Sequence, residues 1–322
     1  MDKKVLMPVL LISVVCVSFI GVYIYYPQFF TTKQRLVIFH AGSLEVPFSN
    51  LEKTFESLHP DIDVVREAYG SRTAAKQITE LNRTADILAV ADYKVITTLL
   101  FPRNLTDWYI IFAHNEMVLA YTNQSAYHDE INSTNWFEII NRTGVTVGHS
   151  DPDADPCGYR SLLVLKLAEI YYNISGIYKS IVNSSHEIVR PKSVELISLL
   201  EAGELDYAFE YKSVAVQHKL NYVELPSEIN LAEYQYADYY SQVNITLSDG
   251  TLVIGESILY GITIPKNAQH VDLAIEFIKL LLSNQGQEEM SSAAQPSISP
   301  ALTNDMEAIP SELQDYVIQW NG

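Results

Sequence analysis

An acidic loop carries the side chains of this sequence that are best suited to chemistry. The loop reads Ser150-Asp151-Pro152-Asp153-Ala154-Asp155-Pro156-Cys157-Gly158-Tyr159-Arg160, and apolar residues recur after it at helical spacing. A loop that runs into a helix offers free main-chain N–H groups, which bind anions. The same loop places carboxylates beside those donors. The sequence therefore predicts a site at which acids and anion-binding groups meet.

Cys157 is the candidate nucleophile of this loop. It could attack a substrate if a histidine lay nearby, but the chain holds only one further cysteine, Cys16, and eight scattered histidines. The patterns GxxxxGK[ST], HExxH, GxSxG and CxxC are absent, which weighs against the common enzyme classes. We expect no enzyme, and a surface cysteine hydrolase is the less favoured alternative.

Two serines follow glycine at predicted strand ends, in His40-Ala41-Gly42-Ser43 and in Tyr69-Gly70-Ser71. Each stands where a helix is predicted to begin, so N-capping, worth about 1 kcal/mol, is the plain alternative. The carboxyl ends of parallel strands meet at the ligand-binding edge of a sheet. Both hydroxyls could therefore point into one cleft.

Other polar residues near predicted element ends have equally plain alternatives. Ser193 precedes a predicted helix and could be an N-cap. Tyr211 ends a predicted strand and could be a core tyrosine with a satisfied hydroxyl. The loop acids, Asp155 included, could form a solvated loop or cap the helix that follows.

The positioning elements begin with a βαβαβ pattern. Apolar runs at 36–39, 62–67 and 86–90 alternate with two helical patterns, which predicts a parallel sheet with right-handed crossovers. The apolar run 117–121 could leave this first lobe, and the run 260–265 would return to it.

We therefore predict an α/β fold of two lobes with the ligand cleft between them. Residues 35–114 and 256–322 are expected to form lobe 1, and residues 115–255 to form lobe 2. The last 30 or so residues are rich in serine, proline and alanine, and we expect them to wrap around the lobes rather than build core.

Composition limits the partners of the chain. Its 322 residues, 48% hydrophobic and 19% charged, describe a globular protein. The net charge of −18 argues against a nucleic-acid partner.

The N-terminus predicts a membrane segment within residues 1–30. Lys3 and Lys4 precede Val5 to Tyr26, an uncharged run long enough to span a bilayer. We expect an uncleaved anchor or a long signal, with a lipid on Cys16 as a third option. The rest of the chain would lie outside the cell. Sequons suit an exported glycoprotein, and they begin at Asn82, Asn104, Asn123, Asn132, Asn141, Asn173, Asn183 and Asn244.

These runs together resemble the archaeal molybdate/tungstate-binding protein family. The resemblance extends from about Leu36 to Gly286 and rests on five runs: HAGSL from residue 40, GS from residue 70, DADPCGYR from residue 153, GELDY with the nearby YKS from residues 203 and 211, and YGITIPKNA from residue 260. It implies the solute-binding component of an ABC transporter, with a type II periplasmic-binding-protein fold and no cofactor.

The resemblance also implies roles for single residues. The anion would be held from the first lobe by Ser43 and Ser71, which act as hydrogen-bond donors. From the second lobe it would be contacted by Asp155, by the main-chain N–H of Cys157 and by the Tyr211 phenol. In this family a carboxylate of the acidic loop and a glutamate at the start of a later helix bond the metal of the oxyanion. The coordination number of the metal then rises from four towards six. The sulfur of sulfate cannot expand its coordination in this way, so sulfate would be discriminated against.

This chain departs from that pattern at Ser193, which stands where the glutamate is expected. Glu195 faces elsewhere on a helix, and strand alternation turns Glu210 away from Tyr211. We therefore expect a tetrahedral site, or one distorted by Asp155 alone, with Ser193 as a hydrogen-bond donor.

The function implied is capture of tungstate or molybdate at the outer face of the membrane, for delivery to an ABC permease with its ATPase. A binding protein for phosphate or sulfate is the alternative within the same fold.

Overall fold

A computed structural model describes residues 33–182 and 184–320. The predicted N-terminal segment and the sequon at Asn183 lie outside this part of the chain. Within it, no helix combines the length and apolarity needed to cross a bilayer.

The described residues form strands and helices in alternation. The strands are β1 (Gln34–Ala41), β2 (Ile62–Tyr69), β3 (Ile87–Val90), β4 (Ile110–His114), β5 (Met117–Tyr121), β6 (Val147–Ser150), β7 (Glu187–Arg190), β8 (Tyr207–Tyr211), β9 (Asn221–Glu224), β10 (Asn244–Thr246), β11 (Leu252–Ile254), β12 (Leu259–Thr263), β13 (Ser297–Thr303) and β14 (Val317–Gln319). The α-helices are α1 (Glu45–Leu58), α2 (Ser71–Thr79), α3 (Trp136–Ile139), α4 (Pro156–Tyr171), α5 (Ile177–Ile181), α6 (Glu195–Ala202), α7 (Lys212–Gln217), α8 (Ala237–Tyr240), α9 (Val271–Leu282) and α10 (Asn284–Ser292).

The larger sheet has seven strands in the order β14-β13-β4-β12-β3-β1-β2. Strand β1 pairs in parallel with β2 and β3, which confirms the predicted βαβαβ unit. Strand β12 returns to this sheet and lies antiparallel between β3 and β4. Strand β3 is fully buried and apolar, and β1, β4 and β12 are buried along most of their length, as expected of a sheet covered on both faces.

The C-terminal residues also build this sheet, so the expectation that they only wrap around the lobes is wrong. Strand β13 pairs antiparallel with β4 and parallel with β14. Its inward residues Ala301 and Thr303 are buried. The serine- and proline-rich sequence of β13 has no apolar run that would predict a strand. Its hydrogen bonds come from β4, which is remote in the chain, so the pairing could not be read from the local sequence.

The second sheet has five strands in the order β7-β6-β8-β5-β9. Strands β6, β7 and β8 are parallel, and β5 lies antiparallel to both of its neighbours. The acidic loop joins β6 to α4, a helix buried along most of its length. Each sheet is the centre of one lobe, which confirms the predicted two-lobed α/β fold. The exact boundaries at residues 115 and 255 stay a prediction.

Candidate functional site

Two strand-end glycines of lobe 1 touch lobe 2. A Cβ on Gly70 would lie 2.5 Å from the Ala154 carbonyl oxygen and 3.0 Å from the Asp155 Cβ. A Cβ on Gly42 would lie 3.1 Å from Val194 Cγ2. The lack of a side chain thus lets the lobe 1 sheet edge approach both the acidic loop and the segment before α6.

Main-chain donors reinforce this contact. The N–H groups of Arg72 and Thr73, at the start of α2, both donate to the Ala154 carbonyl, at 3.1 and 3.2 Å. The Arg72 guanidinium pairs with Asp249 in the β10–β11 turn. Arg72 Nε also donates to the Asp153 carbonyl oxygen at 3.2 Å, so three hydrogen bonds from α2 hold the acidic loop.

Asp155 is the buried centre of the loop, with 6% of its surface exposed. Its Oδ2 accepts a 3.0 Å hydrogen bond from the Ser193 main-chain N–H. Its Oδ1 accepts a longer one, 3.4 Å, from the Cys157 N–H. Asp155 is thus the N-cap of α4, as one alternative predicted. The Cys157 N–H that we expected to be free for the anion already has an acceptor.

Burial raises the pKa of the Asp155 carboxyl to about 6. The Ser193 N–H, the Ser150 hydroxyl and the Cys157 N–H oppose this rise, as does the charge of Arg160. A carboxylate that is kept ionised by main-chain donors presents negative charge to any ligand at neutral pH.

The capping alternative is wrong for the three predicted serines. Ser71 is the first residue of α2, and its Oγ accepts a 2.9 Å bond from the Ala91 N–H. The Ser43 Oγ lies 2.9 Å from the Tyr260 hydroxyl. The N-cap of α6 is Val194 rather than Ser193. All three serines are buried, beside residues of the lobe contact.

Tyr211 connects to lobe 1 through Arg160, to which the sequence analysis gave no role. Arg160 Nη1 donates to the Tyr211 hydroxyl and to the Ala91 carbonyl oxygen, both at 2.7 Å. Its Nη2 lies 3.3 Å from an Asp92 carboxylate oxygen. Arg160 is 2% exposed. The sequence signal for this role was an arginine among the apolar residues of a helix. A buried guanidinium needs polar partners, so its position indicated a buried polar contact.

The Tyr211 hydroxyl is satisfied, as the plain alternative for that residue predicted. The ring of Tyr211 lies 5.9 Å from that of Tyr260. Tyr260 is the partner of Ser43, so an aromatic contact joins the serine side of the site to the Arg160 side.

Cys157 has none of the features of an activated thiol. It is fully buried, and its Sγ faces the Phe209 carbonyl oxygen at 3.7 Å. Burial, with the carboxyls of Glu210 and Asp155 adding to it, raises the pKa of the thiol well above its ordinary value. These surroundings disfavour a nucleophile, which needs the thiolate.

Glu210 lies on the face of β8 opposite Tyr211, as predicted, and it is fully buried there. Ala208, on that same face, belongs to a hydrophobic cluster with Leu196 and Leu200 of α6. Burial first, and then the Asp155 carboxyl, raises the pKa of Glu210 to about 8, while the Tyr211 N–H and the Ser193 hydroxyl oppose the rise.

Three buried polar atoms of this cluster lack a partner with hydrogen-bond geometry among the described residues. They are Ser150 Oγ, Arg160 Nη2 and Glu210 Oε1. Each of these side chains nevertheless has a polar neighbour: Arg160 Nη2 lies 3.3 Å from Asp92, and the Ser150 and Ser193 hydroxyls act on the carboxyls of Asp155 and Glu210. In residues 33–182 and 184–320, no group of three or more His, Cys, Asp or Glu side chains could hold a metal ion.

Comparisons with known proteins agree with the two-lobed fold. The family model described as bacterial extracellular solute-binding protein matches residues 36–293. The chain belongs to this family.

Named relatives span nearly the whole chain. A solute-binding protein from Petrotoga mobilis is 51% identical over 88% of this chain and 90% of its own. The molybdate/tungstate-binding protein WtpA of Pyrococcus abyssi is 43% identical over 88% and 90%. The periplasmic molybdate-binding protein of Azotobacter vinelandii shares the fold, with a TM-score of 0.55 and 13% identity over 82% of this chain and 98% of its own.

Proposed function

We propose that this protein captures tungstate or molybdate between its two lobes and delivers the anion to the permease of an ABC importer. The observation that carries the proposal is Asp155, a buried carboxylate at the lobe contact, bonded to two main-chain N–H donors. The similarity to the molybdate/tungstate-binding protein of Pyrococcus abyssi supports the same ligand class.

The chemistry of the cluster favours an anion whose centre accepts electron pairs. Hydroxyls of Ser43, Ser71 and Tyr211 surround the lobe contact and would donate to oxyanion oxygens. Asp155 would repel a simple dianion in a buried site. A bond from its carboxylate to the metal of tungstate or molybdate would offset that repulsion.

Capture would close the lobes around the anion by a hinge motion at the crossings between them. The net charge of −18 would slow the encounter with a dianion at low salt. The net charge would not prevent binding, because oriented N–H groups dominate the local electrostatic potential inside a closed site.

The proposed location is the outer face of the membrane, tethered through the N-terminal apolar segment or released after its cleavage. The sequon asparagines within the described residues are all exposed, as glycan attachment requires. They are Asn82, Asn104, Asn123, Asn132, Asn141, Asn173 and Asn244.

Calorimetric titration of the full chain with tungstate, molybdate, phosphate and sulfate tests the proposal. We expect tungstate and molybdate to bind at least about 100-fold more tightly than sulfate. Tighter binding of phosphate would favour the alternative in which a protonated anion donates to Asp155. Binding of none of the four anions would refute the proposed function.

A further inference from the structure

Two buried tyrosines lie beside Arg160, and their hydroxyl groups are used differently. The Tyr159 hydroxyl donates to an Asp92 carboxylate oxygen at 2.5 Å, so its hydrogen has an acceptor. The Tyr211 hydroxyl oxygen instead accepts a 2.7 Å bond from Arg160 Nη1. A guanidinium donates and never accepts, so the Tyr211 hydrogen cannot point at Arg160. No hydrogen bond within the described residues uses that hydrogen.

The Tyr211 phenol keeps its hydrogen near neutral pH. Burial raises the pKa of this phenol well above its ordinary value, and the positive charge of Arg160 opposes the rise without reversing it. A buried hydroxyl hydrogen without an acceptor costs free energy. An oxyanion oxygen in the site would supply the missing acceptor.

Ala91, which directly follows β3, fixes a hydroxyl from each lobe. Its carbonyl oxygen accepts a 2.7 Å bond from Arg160 Nη1, the same nitrogen that donates to Tyr211. Its N–H donates to Ser71 Oγ at 2.9 Å. The Ser71 oxygen therefore also accepts from a group that can only donate, which leaves the Ser71 hydrogen for another acceptor. The same polarity is thus imposed on both hydroxyls.

We propose that Arg160 is a positioning residue of the anion site: it occupies the acceptor side of the Tyr211 hydroxyl and so commits the hydrogen of that group to the bound oxyanion. This inference rests on the proposed function and adds a residue to which the family resemblance gave no role. Arg160 belongs to α4 of lobe 2, whereas its partners Ala91 and Asp92 belong to lobe 1. Donation by Tyr211 is therefore coupled to the contact between the lobes.

A double-mutant cycle tests whether Arg160 acts through the Tyr211 hydroxyl. Arg160→Lys keeps the positive charge, but the lysine chain ends one bond short of the Nη1 position and lacks the fork of donors. Tyr211→Phe removes the hydroxyl and keeps the ring. Calorimetry gives the tungstate affinity of the full parent chain, of each single variant and of the double variant. Thermal unfolding verifies that each variant folds.

We expect Tyr211→Phe to weaken tungstate binding at least about 20-fold and Arg160→Lys at least about tenfold. In the Tyr211→Phe background, Arg160→Lys should cost no more than about twofold, because the group that it positions is absent. Additive losses would overturn the inference, since they would indicate that Arg160 acts by its charge or through the fold. Unchanged affinity in either single variant would overturn it as well.

Tyr159→Phe is the matched control, because this hydroxyl lies in the same cluster and already donates to Asp92. In the Tyr159→Phe background we expect Arg160→Lys to keep its full cost, at least about tenfold. If Tyr159→Phe abolished that cost as well, the effect would belong to the whole cluster and the specific role of Arg160 toward Tyr211 would be refuted.

A neutral pair of substitutions keeps the test available if Arg160→Lys does not fold. Arg160→Gln combined with Asp92→Asn keeps the charge balance and brings an amide oxygen that can accept the Tyr211 hydrogen. We expect this pair to weaken tungstate binding at least about tenfold, and the loss should again shrink to about twofold in the Tyr211→Phe background. A loss that persists in that background would overturn the inference.

Two outcomes separate this inference from the function on which it rests. Tight tungstate binding by the parent protein with additive losses in the cycle would overturn the role of Arg160 and leave the function standing. Failure of the parent protein to bind any of the four anions would overturn both.

Discussion

The Asp155 carboxylate accepts a 3.0 Å hydrogen bond from the main-chain N–H of Ser193. This bond joins the acidic loop to the segment that leads into α6, and it occupies a donor that an oxyanion would otherwise use. A ligand must therefore either compete with Asp155 for main-chain donors or bond to Asp155 itself. Under the proposed function, the second route accounts for a buried acid at the lobe contact.

Asp155→Asn tests whether the ligand bonds directly to the Asp155 carboxylate. Asparagine keeps an acceptor for one N–H but cannot serve as an anionic ligand to the metal. We expect tungstate and molybdate affinity to fall at least about tenfold in calorimetry. Asp153→Asn is the control, because the Asp153 carboxylate accepts only from the exposed Ser248 N–H among the bonds described. Equal or tighter binding by Asp155→Asn would instead favour a site made of hydrogen-bond donors alone.

Gly70→Ala tests the lobe contact. The added methyl group would lie 2.5 Å from the Ala154 carbonyl oxygen, a main-chain atom that cannot rotate away. We expect the lobes to be held apart and tungstate affinity to fall at least about tenfold, with thermal stability of the ligand-free protein little changed.

Gly42→Ala is the graded control for that variant. Its methyl group would meet a Val194 side-chain atom at 3.1 Å, and a side chain can shift. X-ray scattering with and without tungstate would report closure. If Gly70→Ala closes and binds like the parent protein, the contact is not part of ligand capture.

The core of lobe 1 was predictable because its strands are short apolar runs separated by helical patterns. Strands β1 and β2, and the glycine-serine pairs after them, were found at the expected sheet edge. Strand β13 was not, since its sequence has no apolar run and its pairing with β4 depends on contacts remote in the chain.

The site was only partly predictable for the same reason. Alternation along β8 correctly separated Glu210 from Tyr211, but no local pattern reveals which helix covers the Glu210 face. Arg160 was visible as a charge in an apolar helix. Its partners Ala91 and Asp92 come from the other lobe, and only the packed structure brings them together.

Cys157→Ala distinguishes a binding protein from a cysteine hydrolase. The Cys157 side chain packs against the Phe209 carbonyl oxygen, and the Cys157 N–H that donates to Asp155 is kept by alanine. We expect tungstate affinity within about threefold of the parent protein and a loss of stability of about 1 kcal/mol from the smaller side chain. A large loss of affinity in calorimetry would contradict the role given to this residue.

Glu256→Gln isolates a pH-dependent contribution to stability. Burial first, and then the Asp92 carboxylate, raises the pKa of Glu256 to about 7, while its ion-pair partner Lys94 opposes the rise. The folded chain therefore holds a proton on Glu256 that the unfolded chain releases near pH 4.5. The stability that comes from this bound proton is fully present below pH 4.5 and is lost as the pH rises through about 7.

The measurement is the free energy of unfolding by denaturant from pH 5 to 8, for the ligand-free parent protein and for Glu256→Gln. Asp155 and Glu210 titrate in both proteins, so their contributions cancel in the difference. We expect the parent protein to lose stability relative to the variant by up to about 1 kcal/mol per pH unit between pH 5 and 7, with little further change above that range. A difference that is independent of pH would show that Glu256 is already ionised at pH 5 in the folded protein, with Lys94 outweighing burial and Asp92.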